Sequence, residues 1–125
     1  MEPKYKVIGS DLWSDEPGFE AATASTGVTG ICGSGIIEAV AEMVLAGIVT
    51  PDGIIDGGLA SRSPRVTMEG RTASYLIREG DEDGGVRIAI AQGDIRAIQL
   101  AKAALYAGIQ LLMDGYGVAA VDRIT

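Results

Sequence analysis

The chain has 125 residues, a formal net charge of −7 and 47% hydrophobic residues, few of them aromatic. Its ten Lys and Arg form no basic patch, which argues against nucleic acid as a main partner, because phosphate contacts need one. No apolar run reaches membrane-spanning length, there is no His, and the single Cys32 excludes an internal disulfide or an all-cysteine iron–sulfur site.

Residues 1–26 are weakly patterned, with a short strand predicted over Lys4–Gly9 and a polar stretch from Ser10 to Gly18. The run Gly27-Val28-Thr29-Gly30-Ile31-Cys32-Gly33-Ser34-Gly35 comes next and leads into an apolar helical segment. That helix is predicted from about Ser34 to Ala46, with Gly47 as its terminator. Ile36, Ile37, Val40, Met43, Val44 and Leu45 supply its apolar face. Glu38 and Glu42 stand one turn apart on the other side, which reads as a solvated face rather than a metal pair.

Thr50-Pro51-Asp52-Gly53 and Asp56-Gly57-Gly58 are turn signals around Ile54 and Ile55. Ser61–Arg71 reads as irregular. Ala73–Arg78 and Val86–Ile90 are predicted to pair as a β-hairpin across the acidic stretch Glu79–Gly85, a soluble turn that lacks a calcium-loop register.

The last helix is predicted from an N-cap at Asp94 to about Asp114, with Gly115 and Gly117 ending it. Arg96, Gln99, Lys102, Tyr106, Gln110 and Asp114 fall in one arc roughly a third of the circumference wide. The rest of its surface is Ile, Leu, Ala and Gly, which predicts burial nearly all round. Val118–Thr125 reads as the start of a strand, as in a chain cut in mid-fold.

Two places carry candidate chemistry. Glycines before a helix start let backbone N–H groups and the helix dipole meet an anion, commonly phosphate. The loop lacks a Walker Gly-Lys-Ser/Thr ending and the dinucleotide spacing, so tight helix packing is the competing role. Cys32 lies where a thiol pKa is lowered, yet without His it reads better as a small buried residue. On the last helix, Gln99 and Lys102 share a face, with Arg96 a turn earlier; such donors suit a purine or ribose, or simply a wetted helix edge.

The segment Gly30-Ile31-Cys32-Gly33-Ser34-Gly35-Ile36-Ile37-Glu38-Ala39, followed by Leu45-Ala46-Gly47-Ile48-Val49, resembles the C-terminal part of the reductive activators of corrinoid proteins. Asp94–Ala104 with Gly108-Ile109 resembles a second signature of the same region. The resemblance covers about residue 27 to the C-terminus. It implies part of an actin-like (ribonuclease H-like) ATPase domain of the acetate and sugar kinase, chaperone and actin superfamily.

The α/β fold expected is a short mixed sheet with two main helices and a β-hairpin. By resemblance, Gly33, Ser34 and Gly35 are candidates for the phosphate side, and Gln99 and Lys102 for the nucleoside side. The implied cofactors are ATP and Mg2+, with a 2Fe–2S cluster only in a domain absent from this chain. The implied partner is a corrinoid protein or corrinoid-dependent methyltransferase, in the cytoplasm. A small-molecule kinase of the same superfamily and a non-catalytic assembly module, as in a homodimer, are the alternatives.

Overall fold

The computed structural model describes residues 2–80 and 85–123. Its elements run α1 (Phe19–Thr23), α2 (Gly33–Leu45), a 3-10 turn (Gly57–Ser61), β1 (Val66–Glu69), β2 (Thr72–Arg78), β3 (Ile88–Ala91) and α3 (Gln92–Tyr116). The three strands form one sheet in the order β1-β2-β3. Both pairings are antiparallel, so the expected α/β chain carries an antiparallel rather than a mixed sheet. The predicted hairpin is β2–β3, with a register irregularity between Leu76 and Arg78. The acidic residues 81–84 of its connection lie outside the described residues.

β1 falls within the Ser61–Arg71 stretch, for which no strand is predicted. It pairs with β2 through a two-residue connection, Gly70-Arg71, between the partners Glu69 and Thr72. Gly70 has φ +65 and Arg71, like every other described non-glycine residue, has no positive φ, the pattern of a type II′ hairpin turn. Val66, Tyr75 and Ile90 stand opposite one another across the three strands, and all three are buried. They join Met43 of α2, Ile95 of α3, and Ile48, Val49 and Ile55 in a single core.

Both long helices stop in the same way. Gly47 is left-handed, its N–H donates to Val44 O at 3.1 Å, and the Ile48 N–H donates to Met43 O at 2.8 Å. Gly117 repeats this with bonds to Asp114 O and Met113 O at 3.2 Å and, from Val118, 3.0 Å. This paired bonding is the Schellman motif, which only a residue tolerant of positive φ closes cheaply.

α3 starts earlier than predicted. Its N-cap is Ala91, and Asp94 sits in the first turn with Oδ2 accepting the Ala91 N–H at 2.8 Å. Burial also differs from the expectation. Ile95 is its one buried residue, whereas Leu100, Leu105, Leu111, Leu112 and Tyr116 are 63–82% exposed. At about 100° per residue, Leu100 and Leu111 face away from Ile95 whereas Leu105, Leu112 and Tyr116 lie on its flank, so beyond its first turns this chain leaves the helix largely uncovered. Described residues 118–123 form no strand, and residues 4–9 contribute a single bridge, Lys6 to Trp13. Residues 124–125 of the predicted last strand lie outside the described residues.

Candidate functional site

Residues 28–31, outside any helix or strand, deliver the chain to α2, whose N-cap is Cys32. Cys32 Sγ accepts the Gly35 N–H at 3.3 Å and lies 3.4 Å from Ser34 Oγ. The Ile36 N–H goes to Cys32 O at 3.0 Å. The N–H groups of Gly33 and Ser34 thus remain without a partner among the described residues, and they share the positive end of the helix dipole. Cys32 is exposed, contrary to the buried role expected from its size. The Ser34 hydroxyl, then the Gly35 N–H, hold its thiol below the ordinary range by favouring the thiolate.

Of the loop glycines, Gly27 alone needs a left-handed backbone. A Cβ on Gly33 would meet open space, whereas one on Gly35 would press on Cys32 Sγ and Ile31 Cγ1 at 3.1 and 3.2 Å. Gly35 therefore serves packing at the helix start. Gly33 leaves the approach to the N–H groups clear.

Ser34 and Gly35 lie on the wall of a groove of about 1200 Å³. Its other walls come from the N-terminal segment, from Glu38, Glu42 and Met43 of α2, and from Tyr75, Ile77 and Arg78 of β2. Arg65 ties the N-terminal segment to the sheet. Its Nε donates to Glu2 Oε2 at 2.7 Å, and its Nη1 reaches Leu76 O and Ile77 O at 3.3 Å each. The guanidinium in turn holds the Glu2 carboxyl below its ordinary value, chiefly through that hydrogen bond. Nearby, Lys4 pairs with Asp15, and the Lys6 ammonium sits 4.8 Å above the Trp13 ring.

Gln99 and Lys102 line neither this groove nor a second cavity described below. Gln99 Nε2 donates to Asp52 O at 3.3 Å, and its Oε1 accepts from Arg96 Nη1 at 3.0 Å. Lys102 is exposed. The structure thus brings Ser34 and Gly35 to one groove and leaves the two α3 candidates apart from it. Sequence reasoning overlooked Gln92, one helical turn pair before Gln99. Its Oε1 accepts the Ile55 N–H at 2.8 Å and its Nε2 donates to Gly53 O at 2.6 Å. The seven-residue spacing of two glutamines on one face was the available signal.

Residues 1–125 match the family described as the C-terminal domain of RACo, the ASKHA domain. The chain belongs to this family. The match takes in the weakly patterned first 26 residues, and it assigns the α/β arrangement to the actin-like superfamily. The chain is also 36% identical over 103 residues to the corrinoid activation enzyme RamQ of Eubacterium limosum. That alignment covers 78% of this chain and 17% of the relative, so the chain spans under a fifth of the relative's length. No solved structure matches the chain. Among the described residues, no helix is long and apolar enough to cross a membrane, and no group of three His, Cys, Asp or Glu could hold a metal.

Proposed function

We propose that this chain is the nucleotide-binding part of an ATP-dependent reductive activator, acting in the cytoplasm on a corrinoid protein or corrinoid-dependent methyltransferase. Likeness to an enzyme named for corrinoid activation supports the partner class. The observation that carries the nucleotide half is the start of α2. There, unpartnered Gly33 and Ser34 N–H groups and the Ser34 hydroxyl stand beside a groove large enough for a nucleotide.

The residues fit the phosphate end of ATP. Gly33 offers no side chain to block it, and Gly35 and Cys32 fix the turn that aims the donors. The accompanying Mg2+ is held mainly by phosphate oxygens and water in such sites, so a protein cage is not required. The nucleoside role of Gln99 and Lys102 needs a surface between α2 and α3 that a longer chain completes. Nucleotide binding then favours one conformation over another, and that difference drives the corrinoid partner toward its reduced cob(I)alamin state. The electron comes from a 2Fe–2S module outside this chain.

A calorimetric titration of Mg·ATP tests the reading. Binding by this chain or by the longer RamQ protein, lost on Gly33→Val without loss of folding, supports it. Absence of binding in both proteins removes the nucleotide role.

A second reading has its own observation. The exposed leucine arc of α3 suits self-association, so the chain serves as an assembly module that pairs as a homodimer. Light scattering coupled to gel filtration reads this directly: a monomer at micromolar concentration eliminates it.

A further inference from the structure

A second cavity, of about 390 Å³, lies on the sheet edge where the β1–β2 turn meets the first turns of α3. Its apolar floor includes Ile54, Ile55 and Met68, and its polar wall includes Arg71, Gln92 and Arg96. Arg71 comes from the hairpin turn and Arg96 from the helix, so two distinct elements aim cations at one space.

The chain carries seventeen Asp and Glu against ten Lys and Arg. Arg65, Lys4 and Arg87 each meet a carboxylate. Arg71 and Arg96 have no carboxylate partner among the described residues, although the chain holds an excess of acids. Arg96 gives one N–H to Gln99 and keeps the rest of its fork. Arg71 makes no side-chain hydrogen bond among the described residues. Gln92, by contrast, is occupied by the Gly53 and Ile55 backbone, which fixes one wall.

We infer that Arg71 and Arg96 form a binding site for a small organic oxyanion, a carboxylate or phosphate monoester with a compact apolar body. Two guanidinium forks match the paired oxygens of such groups. The floor of Ile54, Ile55 and Met68 favours a ligand that also buries carbon. The site lies apart from the α2 groove, so it goes beyond the nucleotide reading and does not depend on it.

Titrations of the chain with inorganic phosphate, phenyl phosphate and benzoate, followed by amide and arginine side-chain NMR at low salt, test this. Saturable shifts confined to residues 54–57, 68, 70–73 and 92–96 are expected, with phenyl phosphate or benzoate binding at least fivefold tighter than inorganic phosphate. Which of the two organic anions binds tighter identifies the head group as phosphate ester or carboxylate. Arg71→Gln and Arg96→Gln should each weaken binding at least tenfold while leaving the thermal midpoint unchanged. Arg62→Gln, on the exposed end of the 3-10 turn, should change nothing. The inference is overturned if no probe saturates or if Arg62→Gln weakens binding as much.

Discussion

Gln92, the first residue of α3, holds both sides of the turn before the sheet: it donates to Gly53 O at 2.6 Å and accepts from the Ile55 N–H at 2.8 Å. One side chain thereby substitutes for the backbone pairing that a strand would have given Gly53 and Ile55. It also anchors the start of the helix to the buried Ile55. Gln92→Ala should therefore destabilise the chain by about 2 kcal/mol, since two hydrogen bonds go and a buried backbone group is orphaned. Urea unfolding measures this, and an unchanged midpoint would deny Gln92 its anchoring role.

Gly53 is buried with φ +80, and a Cβ there would run into the Gln99 amide. Gly53→Ala should cost about 2–3 kcal/mol from backbone strain and the clash together. Gln99→Ala alone should cost about 1 kcal/mol or less, as its bonds to Asp52 and Arg96 are exposed. In the double variant the clash is gone, so the Gly53→Ala cost should fall by about 1 kcal/mol. Strict additivity in that cycle would place the whole effect in the backbone.

Gly33→Ala should leave stability within about 0.5 kcal/mol or raise it slightly, because alanine favours helix and its Cβ enters open space. Gly35→Ala should instead cost about 1 kcal/mol through its contacts with Cys32 and Ile31. Thermal unfolding of the two variants separates a glycine kept for access from one kept for packing.

The Cys32 thiol, held low by Ser34 and then by the Gly35 N–H, is more ionised at neutral pH than an ordinary cysteine. Alkylation by iodoacetamide at pH 7 should run several-fold faster than for a free thiol, and Ser34→Ala should slow it. An identical rate in Ser34→Ala would show that the hydroxyl does not stabilise the thiolate.

Glu2 has its folded pKa lowered by Arg65, and Asp15 likewise by Lys4. For a lowered carboxylate the stabilising pairing is complete above the unfolded value, about pH 5 and higher, and is lost as pH falls through the folded value. The N-terminal segment should thus loosen on acidification before the sheet does. Trp13 fluorescence should change at a higher pH than the far-ultraviolet circular dichroism. Coincident transitions would count against a separately tethered segment.

How far the sequence foretold this arrangement differs from element to element. Gly47 and Gly117 marked both helix ends because Schellman closure leaves a glycine in the chain itself. The β2–β3 hairpin was legible from two apolar-rich runs, Ala73–Arg78 and Val86–Ile90, around an acidic stretch. β1 was not: four residues of which only Val66 is buried give no alternating signal, and Arg71 masked the turn at Gly70. Asp94 misled about the start of α3 because an acidic residue suits the N-cap and the first turn alike, and here its oxygen reaches back to Ala91. In the candidate site, the glycines marked the start of α2, where the Gly33 and Ser34 N–H groups have no partner among the described residues. The docking of Gln99 on Asp52 joins residues 47 positions apart, which no local pattern encodes.

The leucine arc of α3 also bears on how the chain melts. Its accessible surface is 8957 Å², against about 6300 Å² expected for a compact monomer of 12.9 kDa. Apolar surface already wet in the folded state contributes nothing further to the heat-capacity increment on unfolding, which tracks newly exposed carbon. The chain should consequently show a shallow stability curve and a low denaturant slope for its length, and a covering molecule that engages α3 should steepen both.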